Sequence, residues 1–85
     1  MAQQFGSMNY KTKTALLIFG KSWSQPMVLY FENPNQVYEE IQNLIKTSST
    51  TPKLVEWKPI GPIKKVTIMS NQIAGVALQE EPALQ

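Results

Sequence analysis

Two apolar runs of strand length, separated by a short turn-forming segment, restrict this chain more than any other feature. Ala15 to Phe19 reads Ala-Leu-Leu-Ile-Phe and Met27 to Phe31 reads Met-Val-Leu-Tyr-Phe, with Gly20-Lys21-Ser22-Trp23-Ser24-Gln25-Pro26 between them. Continuous apolar runs of this length read as strands buried on both faces. A link this short makes the strands, Thr14–Phe19 and Met27–Glu32, an antiparallel hairpin. Alternation along a strand then leaves the hairpin with two apolar faces rather than one. On the first strand Leu16 and Ile18 oppose Ala15, Leu17 and Phe19; on the second, Val28 and Tyr30 oppose Met27, Leu29 and Phe31. One amphipathic helix covers one face of such a sheet. The other face requires either a sheet that curls onto the rest of the chain or a second subunit or partner.

The helix is written plainly in the next segment. Asn33 offers a cap, Pro34 suits the first helical position, and Gln36 stands where a capping box places its Glu or Gln. Val37, Ile41, Leu44 and Ile45 recur on one face, flanked by Tyr38. Glu39 and Glu40 lie early and Lys46 late, in keeping with the helix dipole. The polar tract Thr47-Ser48-Ser49-Thr50-Thr51-Pro52 ends the helix. Lys53–Lys58 follows as a strand with Val55 and Trp57 on one face. Pro59-Ile60-Gly61-Pro62 turns the chain into Lys64–Met69, with Val66 and Ile68 inward. Ser70-Asn71-Gln72 turns it again into Ile73–Gln79, with Ala74, Val76 and Leu78 facing the core.

The expected fold is α+β: a small ββαβββ domain whose antiparallel sheet, flat or curled to a partial barrel, carries one packed helix. With 85 residues there is room for one such domain. Residues 1–9 are expected as a flexible leader, 10–79 as the domain and 80–85 as a flexible polar tail. Ala15–Phe19 is too short for a membrane span or for the apolar stretch of a signal peptide, and the expected location is cytoplasmic.

Composition removes most chemistry. The chain has no His, Cys, Asp or Arg, so the usual zinc sites and Ser–His or Cys–His pairs have no parts to be built from. Gly20-Lys21-Ser22 resembles the end of a phosphate-binding loop, but the required first glycine is Ala15, and no helix opens after it. Glu39 and Glu40 are adjacent on a helix and diverge. No catalytic residue, metal ligand or cofactor site is expected, and the expected function is non-catalytic.

Two binding readings remain. In the first, the chain is a protein-interaction or assembly module that binds a protein partner or itself through the apolar hairpin face, using Leu17, Phe19, Met27, Leu29 and Phe31. In the second, it binds single-stranded nucleic acid without sequence preference, using Trp23 for base stacking and Lys58, Lys64 and Lys65 for phosphates. The first is preferred, because Arg is missing and the net charge is only +2.

Overall fold

The computed structural model of the chain describes residues 10–84. The order of elements is β1 (Tyr10–Gly20), β2 (Met27–Leu29), α1 (Pro34–Thr47), β3 (Leu54–Trp57), β4 (Val66–Met69) and β5 (Ile73–Leu84). A single turn of 3-10 helix, Ser70–Gln72, joins β4 to β5. This is the expected α+β arrangement. The strands fall into an open three-stranded sheet, ordered β2-β1-β5, and a separate two-stranded β3–β4 hairpin; the sheet does not close into a barrel.

Every pairing is antiparallel. The central strand β1 pairs along its whole length with β5, from Tyr10↔Leu84 to Gly20↔Ile73, with a register shift between Phe19 and Gly20. Its pairing with β2 covers only Leu16↔Leu29, Leu17↔Val28 and Ile18↔Met27. Directly opposed residues share a face of a sheet. One face therefore carries Leu16, Ile18, Met27, Leu29, Val76 and Leu78, and the other carries Leu17, Phe19, Val28, Gly75 and Ala77.

The first of these faces is the core. Leu16, Ile18 and Leu29 are buried in one cluster with Ile41 of α1, Trp57 of β3, Val66 and Ile68 of β4, and Ile73. The helix supplies its expected stripe: Ile41 is buried, and Val37, Tyr38, Leu44 and Ile45 pack around it. The β3–β4 hairpin supplies the alternation read from its sequence, with Val55↔Ile68 and Trp57↔Val66 paired across it. Ser70 ties this hairpin together. Its N–H donates to Lys53 O at 2.7 Å, and its buried hydroxyl accepts from Lys53 N–H at 2.8 Å.

Three local expectations are corrected. Asn33 stands at the helix N-cap, but its side chain makes no cap hydrogen bond, so the capping box does not form; the first helical bond is backbone only, Val37 N–H to Asn33 O at 3.2 Å. Ala74 is exposed, whereas Ile73 is buried, because the shift beside Gly20 changes the parity at the start of β5. The last strand also continues well past Gln79, to Leu84. There Glu80 and Glu81 lie opposite Thr14 and Lys13, so the polar end of one strand finds a polar complement on the other. Thr14 Oγ1 donates to Glu80 Oε2 at 3.4 Å. The leader expected at residues 1–9 lies outside the described residues.

Candidate interaction surface

The second face of the three-stranded sheet is the candidate site. At its centre Leu17 is flanked by Val28 and Ala77, directly across on either side, and Phe19 lies opposite Gly75. Phe19 is 39% exposed and Val28 38%, and Leu17 is half-buried. The helix and the β3–β4 hairpin both pack on the opposite face, and neither Leu17 nor Phe19 belongs to the core cluster. The Phe19 ring lies beside Gly75, 3.8 Å from where a Cβ on that residue would stand.

The flanks are built from specific local chemistry. Trp23, 37% exposed, lies against Gly20; a Cβ on residue 20 would run into the indole ring. Only glycine permits that close approach. At the other end Tyr30 joins two charges of opposite sign. Its hydroxyl donates to Glu81 Oε1 at 3.0 Å, and Lys13 Nζ sits 4.5 Å above its ring. The bond to Glu81, then burial, then the carboxylate's charge hold the Tyr30 phenol above the ordinary value of 10.0. Beyond Tyr30 the chain leaves the β2 edge, and a cleft of about 460 Å³ opens between Lys13, Tyr30, Glu32, Pro34, Ile60 and Pro62. Among the described residues its charged side chains are one lysine and one glutamate, and its lining is mainly apolar.

The residues expected at the interaction face are divided by the structure. Leu17 and Phe19 lie on the open face. Leu29 does not: it is 1% exposed and part of the core, and Met27 and Phe31 pack against that core. The reason is register. The sequence reading grouped odd-numbered residues of both strands, but Leu17 pairs with Val28, so odd positions of β1 share a face with even positions of β2. A slip of one residue moves a strand's whole apolar set to the other side. Val28, Tyr30 and Ala77 are thus the surface residues that sequence reasoning missed. The link between Ile18 and Met27 could have revealed them only if its pairing were known.

Of the nucleic-acid set, Lys58, Lys64 and Lys65 lie together just beyond the Trp57↔Val66 pair that ends the β3–β4 ladder. Lys65 Nζ stands 4.0 Å from Glu56. Lys58 lines an open groove together with Glu32 and Glu40. Lys64 is exposed, and Trp23 sits in the β1–β2 turn. The Gly20-Lys21-Ser22 segment is a turn, fixed by Lys21 N–H donating to Gln72 O at 2.9 Å and by the stacked Trp23. Among the described residues no three metal-ligating side chains stand together, and no helix is long and apolar enough to cross a membrane. Comparison with protein-family models, curated proteins and solved structures finds no match to this chain.

Proposed function

We propose that this chain is a non-catalytic association module that binds a second copy of itself through the open face of its three-stranded sheet. The observation that carries this reading is the contrast between the two faces. One is covered by α1 and the β3–β4 hairpin. The other presents Leu17, Phe19 and Val28, none of which belongs to the core cluster, with Phe19 and Val28 exposed. Apolar sheet faces pack on one another at about 10 Å, with side chains interdigitating.

A second copy suits this face electrostatically. Among the described side chains its charges are Lys13 and Glu81, opposite in sign and directly cross-strand. The whole chain carries only +2, so repulsion between copies is small. The small net charge and the missing Arg disfavour a polyanion, and Lys65 stands beside Glu56.

Val28→Glu tests the proposal, because Val28 is exposed and outside the core. Placing an unpaired carboxylate in an apolar contact costs several kcal/mol, so association weakens by roughly a hundredfold or more. Sedimentation of the native chain and the variant at matched concentration reads this directly. A variant that keeps the native fold and the native mass refutes the proposal.

A further inference from the structure

The long strand β5 is the outermost strand of its sheet, and its free edge carries a second and separate association signal. The direction of its backbone groups follows from two independent observations. Ile60 N–H donates to Tyr30 O at 2.8 Å on the side of the second strand that faces away from β1. Backbone groups alternate along a strand, so Leu29 and Met27 point toward β1, as do their partners Leu16 and Ile18 toward β2. Leu17 and Phe19 then point toward β5, where they meet Ala77 and Gly75. Val76, Leu78 and Glu80 are left with their N–H and C=O groups directed outward. Pro82 has the same parity. A proline is tolerated inside a strand only where its missing N–H would have pointed away from the neighbour, so it gives the same assignment.

Among the described residues no backbone hydrogen bond reaches the outward groups of Val76 or Leu78. An exposed edge is ordinarily protected by lysine, proline, a bulge or brevity. From Ala74 to Gln79 this edge has no charge and no proline, and its register with β1 is regular from Gly75 onward.

We propose that two copies pair β5 with β5 in antiparallel fashion about a two-fold axis beside Ala77. The result is one continuous sheet of six strands, three from each copy. This register is the one that the outward groups select. It sets Val76 against the partner's Leu78 with reciprocal N–H to O bonds, and places Ala77 against its own copy. Gly75 meets the partner's Gln79, and Ala74 meets the partner's Glu80. Pro82 lies outside the paired stretch and ends it.

The helix supports the same axis. Tyr38, Gln42, Ile45 and Lys46 line a groove with Val76 at this edge, so an axis beside Ala77 also passes near Gln42. A two-fold there runs the two α1 helices antiparallel and brings half-buried Tyr38 and Ile45 of both copies together. It also sets the Glu39 end of each helix toward the Lys46 end of the other, so the charges attract across the axis. This contact does not rest on the face proposed above. Its axis is perpendicular to the sheet, whereas face stacking uses an axis in the plane of the sheet, so one closed assembly can hold both.

Residue-resolved hydrogen exchange on the native chain, concentrated and then diluted, tests the edge without any substitution. The amides of Val76 and Leu78 are expected to be protected when concentrated and to exchange at least about tenfold faster on dilution, while that of Ala77, bonded to β1, stays slow throughout. Rapid exchange of Val76 and Leu78 at every concentration overturns the proposal. So does protection unaffected by dilution, which would mean that the edge is covered from within one chain. Val76→Pro, which removes an outward donor and leaves the β1 ladder intact, should lower the mass of the assembly; an unchanged mass in a folded variant also refutes edge pairing. Val28→Glu leaves the exchange pattern unchanged, so failure of the face and failure of the edge are read separately.

Discussion

Leu29 and Val28 are neighbours on β2 with opposite fates, and truncating each to alanine tests the register on which the candidate surface depends. Leu29 is 1% exposed among Leu16, Ile18 and Ile41. Removing its three terminal carbons loses their transfer energy and leaves a cavity, for a cost of about 3 kcal/mol. Val28 is 38% exposed, so its alanine variant loses only part of the burial of two methyl groups, about 1 kcal/mol. In a domain of this size each kcal/mol shifts Tm by about 4–8 °C, which puts Leu29→Ala roughly 15 °C below the native chain and Val28→Ala roughly 5 °C below. Urea unfolding of dilute protein measures both, with m unchanged if the two-state description holds. Dilution matters, because association adds a concentration-dependent stability that Val28→Ala would also reduce. The opposite order, with Val28→Ala the costlier change, would mean that β2 is slipped by one residue and would remove the surface described above.

Three further outcomes follow from single contacts. Ser70→Ala removes the buried acceptor of the Lys53 N–H and should cost about 1–2 kcal/mol in urea unfolding; a loss below about 0.5 kcal/mol would show that the N–H has another partner. Gly61 has φ of 97° and no atom within 4 Å of where a Cβ would lie, so Gly61→Ala carries a backbone cost alone, about 1 kcal/mol, and a neutral result would argue against the left-handed turn. Tyr30 holds its proton more tightly in the folded chain, so the stability it contributes is full below pH 10 and is lost as pH rises through its raised value. Ultraviolet titration of the phenol, with Tyr30→Phe identifying its contribution, should show Glu81→Gln bringing that value back toward 10.0; no change would mean that the Tyr30–Glu81 bond is absent in solution.

Local features of the fold were legible in the sequence. The helix stripe around Ile41 and the alternation of Val55, Trp57, Val66 and Ile68 are patterns complete within a few residues, and the structure contains both. What failed was non-local. Nothing near Gln79 announces that Glu80 and Glu81 meet Thr14 and Lys13, because the complement lies at the far end of the chain. The same limit divided the expected interaction set. Both strands of the first hairpin are apolar on both faces, so neither carries the polar alternation that fixes register, and a shift of one residue exchanged Leu29 for Val28. Asn33 marked the helix start correctly as a position, although its side chain makes no cap bond.

Sedimentation equilibrium of the native chain over a wide concentration range addresses the central claim most directly. Association through an uncovered sheet face requires a mass above that of one chain when concentrated, falling toward one chain on dilution. A single-chain mass at every concentration would contradict it and would leave Phe19 and Val28 as exposed residues without a role.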